Sequence, residues 1–192
     1  MHLHLCTSDE VRNYLKTSQG ILMPAGSTEQ HGPTGLIGTD AICAEVIATA
    51  AADLTGAIMA PVIAVGMAHH HLEFPGTMTL KPSTLIQVVR DQVLSLAGCG
   101  FRQFMFINGH GGNEASLKAA FYEIYCDLRE RHGKDAPHIR CALINWWEAE
   151  PVAKLARDLY GDAEGSHATP SEVALTQYAF PDTIKSVEMS PT

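Results

Sequence analysis

No apolar run in this chain reaches the roughly 18 residues that a membrane-spanning helix needs. That argues against the bilayer as its solvent. Charge is scarce, since Asp, Glu, Lys and Arg make up 18% of the residues. The balance is acidic, with 21 Asp and Glu against 13 Lys and Arg and a formal net charge of −8. Nucleic acid and anionic membranes both call for a basic surface, so neither is the expected partner. Five Cys residues at 6, 43, 99, 126 and 141 form no CxxC pair. They read as thiols of a reducing compartment, not as a disulfide framework or a zinc ribbon. The opening MHLHLCTSDE has neither a basic n-region nor a signal-like apolar core. The expected location is therefore cytoplasmic. Repeats, low-complexity tracts and linkers are missing too. With 46% hydrophobic residues, the 192 residues are expected to form one domain, 1–192.

What is present alternates. Residues 8–18 read as an amphipathic helix with Val11, Tyr14 and Leu15 inward. ILMPA (21–25) is a short strand, and residues 41–54 form a helix with Ile42, Val46, Ile47, Ala50 and Leu54 on one face. AIMAPVIAV (57–65) reads as the next strand. Pro82 opens a helix bearing Leu85, Val88, Val89 and Leu96, closed by Gly98 and Gly100. QFMFIN (103–108) is a third strand, and Asn113 is expected to cap a long helix carrying Leu117, Phe121, Ile124 and Leu128. IRCALIN (139–145) is a fourth. Such alternation implies an α/β fold, a parallel sheet with helices on both faces. Ligands of open α/β sheets bind at the carboxyl ends of the strands. Four polar segments follow the strands directly: GSTEQHG, GMAHHHLEFPGT, NGHGGN and NWWE. All four are expected at one edge.

Those segments hold most of the reactive side chains. In GSTEQHGPTGLIGTD (26–40), Glu29 and His31 lie two apart and face one side if extended. A carboxylate and an imidazole are ordinary zinc or manganese ligands, but a solvated surface pair is the alternative. Asp40 is either an N-cap or a ligand. Thr39 can cap in its place, and a carboxylate can bridge two cations. NGHGGN lacks the spacing of either common phosphate loop, so its glycines bring the backbone close to a site and leave His110 as the reactive group. Thr169, Pro170 and Glu172 make a helix start with a capping box, which competes with any functional role for Glu172. His167 has no capping duty and is a candidate acid or base. Among His69, His70 and His71, His71 is the one expected to face a pocket. One of Trp146 and Trp147 is expected to wall it.

Taken together, GSTEQHG with GTD, FPGT, NGHGG and EGxHA followed by a Glu resemble the creatininase family, the creatinine amidohydrolases. The pieces occur in the family's order over roughly residues 20 to 180. The resemblance implies a three-layer α/β/α sandwich with a mostly parallel sheet, assembled as a homo-oligomer, often a hexamer. It also implies two divalent metal ions per chain, Zn²⁺ or Mn²⁺ with Fe²⁺ as a further option. Carried over, Glu29, Asp40 and His110 hold one metal, and His31 and Asp40 hold the second, with Asp40 bridging.

Three departures stand out. Creatininases have an aromatic and a Glu after the NGH histidine, where this chain has Gly111 and Gly112. Glu172 is the candidate for the missing carboxylate. Many relatives carry HAGE where this chain has Pro170. The chain also ends at Thr192, where family members usually run longer, so the expectation is either a short form or a chain that lacks a C-terminal piece. The resulting expectation is a metal-dependent hydrolase of a non-peptide C–N bond in a small cyclic or linear amide. A hydroxide shared by the metals attacks the carbonyl. His167 protonates the leaving nitrogen, and Glu172 completes the second metal site or takes the water's proton. His71, Gly111, Gly112 and Trp147 are the expected substrate-binding residues. The alternatives are a formamide deformylase of cofactor biosynthesis and a non-catalytic anion-binding module that has lost its metals.

Overall fold

The computed structural model of the protein describes residues 1–187. Its strands are β1 (Gly20–Ala25), β2 (Ile58–Met59), β3 (Gln103–Asn108) and β4 (Arg140–Asn145). They form one parallel sheet in the order β2-β1-β3-β4. Helices α1 (Ser8–Tyr14), α2 (Thr39–Thr55), α3 (Pro82–Cys99), α4 (Glu114–His132), α5 (Glu150–Tyr160) and α6 (Pro170–Ala179) complete the fold. No helix of the described residues is long and apolar enough to cross a membrane.

Strand periodicity sorts the core into two halves. Ile21 and Met23 of β1 and Phe104 and Phe106 of β3 point to one face. There they meet Leu85, Val89 and Val93 of α3 and Leu117, Ala120 and Ile124 of α4. Leu22 and Ile107 take the opposite face, against Cys43, Ala48 and Ala52 of α2 and Leu175 of α6. Helices on both faces make the expected three layers. Each fully buried Phe, Ile or Leu contributes roughly 1.5–3 kcal/mol of apolar transfer, so these two clusters hold the sheet in place.

The elements differ from expectation at three points. The strand expected over 57–65 pairs as β2 for only two residues. The Ala60 N–H still bonds the Leu22 carbonyl, but one extra residue then intervenes, and the next contact with β1 is at Ile63, bonded to Pro24 and Gly26. The helix expected over 8–18 ends at Tyr14, whose carbonyl accepts from Thr17 and Ser18 in a tight turn. Asn113 stands at the start of α4, but its side chain does not cap the helix. It accepts from the Met67 N–H at 3.0 Å and donates to the Gly26 carbonyl at 2.9 Å. One amide thus joins the loops after β1, β2 and β3.

Ala25, Asn108 and Asn145 lie in register at the carboxyl ends of β1, β3 and β4. Asn108 donates to Asn145 at 2.9 Å along this row. The polar segments therefore leave the sheet at one level, on one edge.

Candidate metal centre

Glu29 and His31 follow β1, and Asp40 lies in the first turn of α2. All three are buried. Asp40 does not cap its helix, and the Thr39 hydroxyl donates to the Leu36 carbonyl at 2.6 Å. Asp40 Oδ1 lies 2.8 Å from His31 Nε2, and Oδ2 lies 3.1 Å from His110 Nδ1. Glu29 Oε2 is 3.3 Å from His110 Nε2 and accepts from the Ser27 hydroxyl at 2.8 Å. Two acids and two imidazoles thus form one buried knot.

The glycines of NGHGG make this approach possible. A methyl group on Gly109 would overlap the Asp40 carbonyl oxygen, so only glycine lets β3 run out against the first turn of α2. A methyl group on Gly112 would overlap His110 Nε2 and the Met67 carbonyl. Those two atoms are 2.9 Å apart. A carbonyl only accepts, so His110 Nε2 carries a proton and Nδ1 is the atom turned toward Asp40, protonated in the metal-free protein and available to a cation when that proton leaves. By the same argument, His31 Nδ1 donates to the Glu29 carbonyl at 3.1 Å and Nε2 is the atom that faces Asp40. Second bonds of this kind are how metal-binding imidazoles are held in one tautomer.

Burial and close charges perturb every group here. Burial favours the neutral His31 ring, but the Asp40 carboxylate outweighs it and pushes the pKa up to about 9. His110 is raised by the same contest between burial and Asp40. Burial raises Glu29 and Glu172. Asp40 is lowered, because contacts with His110 and His31 overcome its burial. His71 is pushed down to about 4 by burial and then by its imidazole neighbours, His167 first. His167 is lowered by burial and by His31.

Three groups of residues bring ligand atoms within 4.8 Å of one another: Glu29 with His70 and His110, Glu29 with His31 and His167, and His31 with Asp40 and Glu172. Glu172 also makes the capping box, its Oε2 accepting from the Thr169 N–H at 2.8 Å. The capping bond engages Oε2 and leaves Oε1 for another ligand. The cap is therefore compatible with a place for Glu172 among the possible ligands. Glu29 Oε1, His31 Nε2 and Asp40 Oδ2 are buried and have no hydrogen-bond partner. His31 Nε2 and Asp40 are close, but not at hydrogen-bonding angles.

The remaining candidates fall around this knot. His71 Nε2 lies 3.5 Å from Glu29 Oε1, and its ring stacks on His167. A short helical turn over His69–His71 brings in His70 as well, stacked on His110. Sequence reasoning preferred His71 alone, because it treated the segment as extended. Gln30 was missed. Its side-chain nitrogen is 3.2 Å from His71 Nδ1 and 3.0 Å from His167 Nε2. A cavity of about 370 Å³ opens beside the knot, lined by Asp40, His110, His167 and Glu172 among others. Gly111 and Trp147 line it, whereas Trp146 is buried in the core. Gly112 and His71 lie outside its lining.

The chain matches the family model "Creatininase: Creatinine amidohydrolase" over residues 4–192. It is 36% identical over 135 residues to a mycofactocin precursor peptide peptidase of Mycobacterium tuberculosis, covering 65% of this chain. The chain spans about half of that relative, 51% of its length. A mutant creatininase structure superposes with a TM-score of 0.85 at 22% identity, covering 96% of this chain and 74% of that one. A zinc–zinc form of a mutant creatininase gives 0.80 at 23% identity, with the same coverage.

Proposed function

The chain belongs to the creatininase family, and from that premise we propose that it is a metal-dependent hydrolase of a non-peptide C–N bond in a small cyclic or linear amide. One observation carries the reading. Glu29 Oε1, His31 Nε2 and Asp40 Oδ2 are buried without hydrogen-bond partners, one atom from each of three acidic or imidazole side chains. Burying unpaired polar atoms costs stability, and acid and imidazole atoms left unpaired within one buried knot are what cations satisfy. The donors are carboxylate oxygens and imidazole nitrogens, a set that fits Zn²⁺, Mn²⁺ or Fe²⁺.

Glu29, Asp40 and His110 would hold one ion. His31, Asp40 and Glu172 would hold the other, with Glu172 replacing the carboxylate that Gly112 cannot supply. Two such ions, when bound, supply the charge that acidifies a water and polarises an amide carbonyl. His167 moves the proton. Its Nε2 lies 2.9 Å from the Gln30 carbonyl and 3.0 Å from the Gln30 side-chain nitrogen, so Gln30 meets this ring from both its backbone and its amide. The lowered pKa of His167 leaves one ring nitrogen free near neutral pH. It takes a proton from the attacking water and passes it to the leaving nitrogen. Gln30 holds His167 and His71 together. Gly111 and Trp147 wall the substrate on the cavity side.

At Gly112 the loop is closed by His110 and Met67, whereas Gly111 faces open space on the cavity, so the metal test also decides for or against the anion-cradle alternative. The test is metal content, measured by elemental mass spectrometry on purified protein and on Asp40→Ala. The expected result is about two equivalents per chain, lost in the variant. One equivalent would remove Glu172 from the ligand set. No metal, even after incubation with Zn²⁺ or Mn²⁺, would overturn the hydrolase.

A further inference from the structure

We propose that Arg157 is a specificity-determining residue, and that it selects amide substrates carrying a carboxylate. The inference rests on the metal-centre reading and names the substrate class of that same site. The cavity runs from Asp40, His110 and Glu172 across to α5. Helix spacing turns one face of α5 toward it. Val152 and Ala156 are four apart, as are Ala153 and Arg157, and all four line the space. The two alanines keep that wall shallow, and Arg157, exposed to solvent, stands at its rim. Trp147 supplies a flat apolar surface beside it.

Arg157 is the one Arg or Lys lining the cavity among the described residues. Its guanidinium makes no hydrogen bond or ion pair among them. The acids that share the cavity are already engaged. Asp40 contacts His31 and His110. Glu172 closes the capping box. Glu164 accepts from the Ser171 N–H at 3.3 Å and from its hydroxyl. Most Lys and Arg of the described residues lack an acid partner, and Arg157 is set apart by its place on the cavity. A guanidinium presents five N–H donors in a planar fork that matches a carboxylate in a bidentate manner. About 370 Å³ lies near the low end for ligand pockets. The substrate class is therefore a small molecule with its amide at the metals, a short body against Trp147 and its carboxylate on Arg157.

The test uses the metal-loaded protein and two metal-chelating probes, succinic acid monohydroxamate and its neutral carboxamide twin. Affinities are read by calorimetric titration on the wild type, Arg157→Lys and Arg157→Gln. The acid is expected to bind the wild type about tenfold tighter than its twin, the scale of one charge-assisted hydrogen bond. Arg157→Gln abolishes that preference and leaves the neutral twin's affinity unchanged. Arg157→Lys keeps part of it. Equal binding of the twins to the wild type, or a preference that survives Arg157→Gln, overturns the role of Arg157 alone. Failure of both twins to bind overturns the metal centre itself. A phosphonate analogue that binds tighter than the carboxylate overturns the carboxylate assignment.

Discussion

Glu172 carries two duties on one carboxylate, and substitutions separate them. Thr169 and Glu172 cap α6 reciprocally. Glutamine serves in a capping box almost as well as glutamate, but it is a far poorer cation ligand. Glu172→Gln is therefore expected to leave the unfolding midpoint of the chelated protein nearly unchanged. Its metal content should fall from about two equivalents to about one. Thr169→Ala should do the reverse, costing about 1 kcal/mol of stability while metal content stays whole. Chemical denaturation beside elemental analysis reads both. Loss of stability without loss of metal in Glu172→Gln would reduce the residue to a cap.

At the scale of elements, the first turn of α2 is pressed against the end of β3, and Gly109 is what permits it. Gly109→Ala forces Asp40 and its neighbours to shift, at a cost of about 1–3 kcal/mol typical of overpacking. The same displacement moves Asp40 off both imidazoles, so metal affinity should fall with stability. Gly111→Ala is the control, since a methyl group there meets open space. Denaturation curves and metal titrations of the two variants should differ sharply; matching behaviour would sink this account of the glycine.

Much of this scale was legible in the sequence. The periodic apolar residues of α2, α3, α4 and β3 placed those elements, because burial on one face leaves a regular trace. The gathering of Glu29, His31 and His110 followed from the shared edge of loops after parallel strands, and Asp40 joined them through the family resemblance. What escaped depends on individual hydrogen bonds. β2 stops after two residues because the chain takes one extra residue between its bonds to Leu22 and Pro24. Asn113 sat where a cap belongs, yet its amide was taken by Met67 and Gly26. Gln30 sits inside GSTEQHG without an obvious ligand role and Arg157 lies in no motif, so the relevance of both emerges only from what stands next to them.

For the molecule as a whole, the candidate site ties pH to stability. When chelators remove metal, His31 is left with its pKa raised to about 9. The unfolded value is about 6.5. The folded state then binds a proton that the unfolded chain releases, so its stabilising effect is full below about 6.5 and is lost as pH rises through about 9. His110 is raised as well and adds with the same sign. His71 and His167 are lowered, so they change stability only below that window. The chelated protein should therefore melt progressively lower between pH 6.5 and 9, the range set by these shifts. Metal-loaded protein, in which cations replace those protons, should stay flat across it. Calorimetric scans at several pH values check this, and parallel curves for the two forms would overturn it.

The cluster of His31, Asp40 and Glu172 joins a loop near the start of the chain to a helix near its end. An ion held there acts as a removable cross-link over most of the polypeptide. Closing so long a loop restricts the unfolded ensemble far more than the folded one. Occupancy of the centre would then govern how readily α5 and α6 peel away from the sheet, and so how long the chain survives in the presence of proteases.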